Sequence, residues 1–500
     1  MKKLALAAFS ALAFGAFAAP ERLGILQLAD VNSLVAGVTK FGELIGNPMV
    51  SAMVTPSITQ NPVSAFFGPG REGVPIMAAA YVESEKLAEG LEQALESVWP
   101  VVVYPMTETK EQFLARTPGA TETNGVVTVA SPETVLVWTA DGKWAVASDT
   151  ADHAKVGLSV ISAAARPIGS DLLRIEIGEA LLKEIPSLLA KVAEMSADGE
   201  VTAKLNNQAE YSKMLEGLSG AKLAMRISDK GWDFESVCTC KPGSLLDTCG
   251  KEGSLAPDAL AFAGKDAFVA VAQVAKSAFG SYEDFGLFGD VARKHGLKLD
   301  FLKTEKIGEA VKLMVDFPAA YAYFTGEEGS QAFEKIDPMT FVQEMDGVTE
   351  KFNVALNEKP QSYALGLKGA SSAETVAARF AATLPEAATL KPYAVAFLSY
   401  YSLVKGLAPQ IVAVLPAELQ NQVKPLLQTL PAEGKCGVAS CSYRKGDAHV
   451  QLTRLSADEL KGLGAVINAG IGYAMSASMK GADLEDDEDD EDDDLGDDED

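Results

Sequence analysis

The sequence predicts an α+β protein made of two related halves, with antiparallel sheets, helices packed on one face, and a disordered acidic C-terminal tail. Three observations carry that expectation. Strand-like alternation and helical apolar periodicity are interspersed without the regular strand–helix–strand spacing of a doubly wound sheet. Residues 173–192, LRIEIGEALLKEIPSLLAKV, align without gaps against residues 395–414, VAFLSYYSLVKGLAPQIVAV. The chain closes on a run composed almost entirely of Asp and Glu. Two more pairs match in the same order: Asn32–Gly46 with Asp266–Gly280, and the strand–turn–strand segments Ala221–Val237 with Lys435–Leu452. The implied unit is a little over two hundred residues, too long for a solenoid repeat.

At 500 residues the chain exceeds one ordinary core, so two domains are expected. The Gly/Ser/Pro-rich stretch Lys241–Ala256 divides them. The expected organisation is a signal peptide over 1–18, a first α+β repeat over 21–247, and a linker over 248–256. A second, more helical repeat follows over 257–480, and the acidic tail over 483–500.

In the first half, Ile25–Val31 is a strand candidate and Asn32 a cap for a helix running towards Ile45. After a proline-broken loop come a strand at Val74–Val82, an amphipathic helix opening at Ser84, and the strand VVVYP. A hairpin about Asp141-Gly142 follows, with Trp138 and Trp144 flanking the turn. Thr150 opens a helix through Ala165, and Leu172–Ile177 is a strand. In the closing hairpin a turn at Lys230-Gly231 sets Ile227 against Phe234, with Leu223 and Met225 on the same face and Arg226 opposite Glu235. Ala439, Cys441, Tyr443, Val450 and Leu452 form the equivalent face of the second hairpin, with one residue of disagreement at the turn. Asp266–Tyr323 and Pro338–Phe352 read mainly as helix, Tyr363–Lys368 as a strand, and Thr375–Leu430 as a proline-punctuated helical region.

The ends argue for export. Lys2 and Lys3 precede the apolar run Leu4–Phe17, and Ala16-Phe17-Ala18 is a small-x-small cleavage pattern. The tail holds 15 acidic and no basic residues, so removing it changes the formal charge from −26 to −11. Such a block repels itself and buries nothing. Weak, diffuse cation binding is conceivable at Asp486, Asp487, Asp489, Asp490, Asp492, Asp493 and Asp494, and a partner with a basic surface would suit the tail. Nucleic acid would be repelled by tail and body alike. Gly462–Met479 is eighteen residues without charge, but its Gly, Ala, Ser and Asn468 argue for a packed final helix over membrane insertion.

Chemistry-bearing motifs are few. Five cysteines (Cys238, Cys240, Cys249, Cys436, Cys441) leave at least one unpaired thiol, and a Cys240–Cys249 bridge would close a short loop. Gly68-x-Gly70-x-x-Gly73 has the letters of a dinucleotide fingerprint but precedes a strand where a helix is required. Ser219-x-x-Lys222 opens a strand. His449 and Asp447 lie two apart beside a turn, where a solvent-facing histidine is expected. The duplicated α+β layout resembles the paired halves of pitrilysin-type zinc peptidases, whose active half carries H-x-x-E-H. The three histidines here, His153, His295 and His449, are far apart, so no zinc ligand carries over. No catalytic residue, cofactor-binding residue, metal ligand or cofactor is assigned. The expectation is an exported periplasmic or envelope protein, non-catalytic, binding a partner or ligand through the surface between its halves. A carboxylate-dependent hydrolase and a membrane-associated envelope protein are the alternatives.

Overall fold

The computed structural model describes residues 21–485 except 83–96, 162–168, 183–212, 275–288, 346–360 and a few short gaps (61, 69, 131–132, 180, 252, 338–339, 342–343, 433). The expected signal peptide, most of the segment expected to form the Ser84 helix, part of the segment expected to form the repeated helix, and tail residues 486–500 with their candidate cation positions lie outside the described residues.

Seventeen strands form one mixed α+β assembly. The first half contributes β1 (Glu21–Leu28), β2 (Ile76–Val82), β3 (Trp99–Pro105), β4 (Thr121–Thr123), β5 (Val126–Ala130), β6 (Glu133–Trp138), β7 (Trp144–Ser148), β8 (Leu173–Gly178), β9 (Leu218–Ser228) and β10 (Gly231–Cys240). The second contributes β11 (Ala267–Gln273), β12 (Leu302–Ile307), β13 (Ala310–Val315), β14 (Gln361–Leu367), β15 (Ala394–Leu398), β16 (Val438–Lys445) and β17 (Ala448–Ser456).

The pairings string these strands into one open ribbon in the order 4-5-6-7-3-2-1-8-9-10-17-16-15-11-14-13-12. All pairs are antiparallel except β13–β14. The halves meet edge to edge at β10–β17, from Gly231↔Ser456 to Thr239↔Ala448. Outward from that seam the order is alike on both sides: a closing hairpin, the strand before it (β8 or β15), then the first strand of the half (β1 or β11). Pairing across the seam also removes two edges that would otherwise stand open to aggregation.

Six helices matter below: α1 (Val31–Leu44), α2 (Pro48–Thr59), α3 (Val376–Thr383), α4 (Tyr400–Val414), α5 (Ala417–Thr429) and α6 (Ala457–Glu485). Asp30, not Asn32, caps α1, its carboxylate accepting from the Asn32 and Ser33 amides. α6 absorbs Gly462–Met479 and extends into the first three tail residues, Asp483, Leu484 and Glu485. No helix among the described residues is long and apolar enough to cross a membrane.

Four sequence expectations change. Asp266–Gly280 opens as β11, whereas Asn32–Gly46 is helix α1, so that match fails. AFVAVA is an uninterrupted apolar run. Buried between β14 and β15, it is a central strand that periodicity cannot tell from a helix. Asp266–Tyr323 also contains the β12–β13 hairpin, turned at Gly308, so helix is not its main content.

Secondly, the long repeat is offset by one residue: the helix after β8 begins at Glu179 and the helix after β15 at Tyr400.

Thirdly, both closing hairpins have two-residue turns, Asp229-Lys230 and Gly446-Asp447, so the loops do not differ in length. The expected apolar faces instead point to opposite sides of the ribbon, because Leu452 pairs with Glu235 and Phe234 with Thr453. A one-residue step sends a whole alternating set to the other face. Ala439, Cys441 and Val450 are buried, whereas Leu223 is exposed. Arg226 still reaches Glu235, diagonally, at 2.7 Å.

Lastly, the helices are not confined to one face. Phe380 of α3 packs with Ala439 and Cys441, while Phe41 of α1 packs edge-on against Trp232 on the opposite side.

Candidate functional site at the junction of the halves

The seam carries a pocket of about 280 Å³. Its walls come from the first hairpin's turn (Asp229, Lys230), the C-terminal end of α3 (Thr383, Pro385), Cys436, the end of β17 (Arg454, Ser456) and the start of α6 (Asp458). Both halves contribute to it. Backbone bonds fix the approach: Ala457 N donates to Lys230 O at 2.9 Å, and Ser456 N to Gly437 O at 3.0 Å. Gly231 permits the contact, since its φ is +132° and an added Cβ would lie 1.9 Å from Leu455 O.

Arg454 organises the electrostatics. It alternates with Val450 and Leu452 on the inward face of β17, directly across from Asp233. Its Nε and Nη2 donate to the two Asp233 oxygens at 2.7 and 2.9 Å, a bidentate pair between two buried residues. Nη1 donates to Thr383 O at 3.1 Å and to Glu386 at 3.2 Å. Lys230 reaches the same Glu386 at 3.2 Å. The Asp233 bonds hold the guanidinium more firmly protonated than usual. Burial alone would raise the Glu386 carboxyl, but its backbone hydrogen bond and the charges of Arg454 and Lys230 outweigh it and leave the pKa lowered.

Thiolate chemistry is poorly served here. Cys436 is the only thiol lining the pocket, and burial followed by the Asp458 charge raises its pKa, so little thiolate forms at neutral pH. No histidine lines the walls.

A second cluster closes the other end of the seam. Arg444 Nη1 donates to Asp247 O at 3.0 Å and Cys249 O at 3.2 Å, and Nη2 to Asp247 Oδ1 at 3.1 Å. His449 Nε2 lies 2.8 Å from Leu246 O and 3.0 Å from Arg444 Nη1, and Nδ1 lies 2.9 Å from the Tyr393 hydroxyl. His449 is thus half-buried in a hydrogen-bonded cluster and not solvent-facing, and its contacts run to the Asp247 segment, not to Asp447. Burial lowers its pKa. The Asp247 carboxyl is held at about 2, first by Lys251 and then by the Gly243 amide.

The other sequence motifs do not converge on a site. Gly68, Gly70 and Gly73 lead into β2, as expected. Ser219 and Lys222, three apart on β9, point to opposite faces, with Lys222 bound to Glu176 and Ser219 to Thr239 O. His153 pairs with Asp149 and His295 with Glu344, far from each other in the chain. All five cysteines are free thiols, so the Cys240–Cys249 bridge is not formed. Cys240 instead packs with Leu182 and Leu218, and burial raises its thiol to about 11.

Sequence reasoning missed Arg454, Asp233, Glu386 and Thr383. One signal was present: an arginine at an inward position of the alternating run Val450, Leu452, Arg454 needs a buried partner. Nothing in the chain pointed to Asp233 as that partner until the register of β10 on β17 was known. No family model matches this chain, and neither a curated protein nor a solved structure resembles it.

Proposed function

We propose that this is an exported, non-catalytic binding protein whose two halves derive from one duplicated unit and whose ligand or partner engages the junction pocket. The observation that supports it is the pocket itself, a concavity of about 280 Å³ lined by residues of both halves. Its cations, Arg454 and Lys230, are held in ion pairs and its one thiol is held protonated, which favours recognition over bond-making. The duplication draws support from the matching strand order on either side of the seam and from the two helices that open after β8 and β15. Export rests on the Lys2–Ala18 pattern, and the acidic tail is read as a solvated arm that would attract a basic surface.

Filling the pocket tests the reading. Thr383→Trp should abolish thermal-shift responses to whichever small molecules in a metabolite panel stabilise the mature wild-type protein. Responses that survive the substitution would move binding elsewhere. Turnover of ester, peptide or glycoside reporters, lost on mutating a carboxylate, would favour the hydrolase alternative.

A further inference from the structure

A second cavity, of about 340 Å³, lies wholly within the second half between the start of β11, the loop after β14, and α4. Its polar lining includes Lys265, Asp266, Ser371, Ser372, Ser402 and Lys405. In a chain of formal charge −26 this wall is locally cationic. Its carboxylate, Asp266, is already paired with the buried Lys312. Lys405 makes no ion pair among the described residues, and the Lys265 ammonium is bound to a backbone carbonyl, Ala373 O, at 2.7 Å. An ammonium has three donors, so Lys265 keeps two to offer. Behind the wall the buried guanidinium of Arg379 donates to Ser372 Oγ at 3.1 Å, fixing that hydroxyl and adding positive charge.

We propose that this cavity binds a small oxyanion, a carboxylate- or phosphate-bearing solute, with Lys405 and Lys265 as its counter-charges and the Ser371 and Ser372 hydroxyls as its hydrogen-bond partners. Neither cation makes an ion pair among the described residues, whereas both cations of the junction network, Arg454 and Lys230, are paired with carboxylates. The cavity's size suits a compact polyanion and not a polymer. This site is independent of the junction pocket and stands whether or not that pocket binds anything.

Calorimetric titration of the mature full-length protein with citrate and with inorganic phosphate, and with glycerol as a neutral control, tests the proposal. At least one anion should bind saturably, more weakly as salt is added. Lys405→Gln should weaken it by about tenfold or more. Ser371→Asp, which sets a carboxylate in the wall, should abolish it. Lys424→Gln, on α5 away from the cavity, should leave it unchanged. Tighter binding of citrate would assign a carboxylate ligand, and tighter binding of phosphate a phosphoryl one. Folded wild-type protein that takes up neither anion, or Lys405→Gln protein that binds as well as wild type, would overturn the proposal.

Discussion

The two ends of the β10–β17 seam are closed in the same way, by an arginine of the second half reaching an aspartate of the first, yet they differ in solvation. At one end Arg454 and Asp233 are both almost fully buried, and all three guanidinium nitrogens donate, to Asp233, Glu386 and Thr383 O. At the other end Arg444 and Asp247 keep some solvent contact and share their site with Lys251 and a titrating histidine. The dry end depends on complete pairing, because a charge left unpaired there has no water to fall back on. The wetter end can lose a partner at lower cost, but it responds to pH.

The largest effect should come from breaking the dry end. Arg454→Met leaves Asp233 buried and uncompensated, at a cost of about 3–5 kcal/mol, read from the urea midpoint. Adding Asp233→Leu should restore much of that loss. A double variant as unstable as the single one would mean that the pair's geometry, and not its charge balance, matters.

Next is Gly231→Ala. Its Cβ would meet backbone, Leu455 O, in a conformation L-residues avoid. A loss of about 1–3 kcal/mol is expected, and hydrogen exchange should quicken first along the seam. Exchange that quickens elsewhere first would show that the seam is not what the glycine protects.

The wetter end should produce an acid limb in the stability curve. His449 has a folded pKa below its unfolded value, so its contribution is present above about pH 6.5 and fades as pH falls through the lower folded value. Asp247 is depressed from 3.8 to about 2, so its contribution is present above the first value and lost as pH falls towards the second. Glu459, raised by burial, acts in the opposite sense, favouring the fold in acid and losing that contribution as pH rises through its folded pKa. Thermal midpoints measured from pH 7 to pH 3 should therefore fall, and His449→Gln should flatten the upper part of that fall. An unchanged profile would remove the histidine from the account.

The smallest effect is expected far from both ends. Met53 on α2 is 72% exposed, and Met53→Ser should change stability by no more than about 0.5 kcal/mol. A larger loss would mean that α2 is covered in solution.

Much of the strand inventory was legible from pattern alone. VPIMAAAYV, VVVYP, the Asp141-Gly142 hairpin and Tyr363–Lys368 all carry β-branched or aromatic alternation bounded by turn residues, and each is a strand. Thr150 caps its helix as its side chain allows. The errors fall where periodicity is ambiguous or where one residue of register decides the outcome. AFVAVAQ could be either element until β14 and β15 flanked it. The hairpin faces could not be compared until both turns were located.

What the sequence determined by itself is local: which segments are strands or helices, where turns fall, and where charge gathers in the tail. Those follow from side-chain shape, backbone preference and near-neighbour spacing. Only the tertiary structure decided that β10 pairs with β17, that Arg454 faces Asp233, and that Lys265 and Lys405 share a cavity. Each joins residues more than a hundred positions apart, and pairing at such range is set by the register of buried faces, which no local pattern encodes.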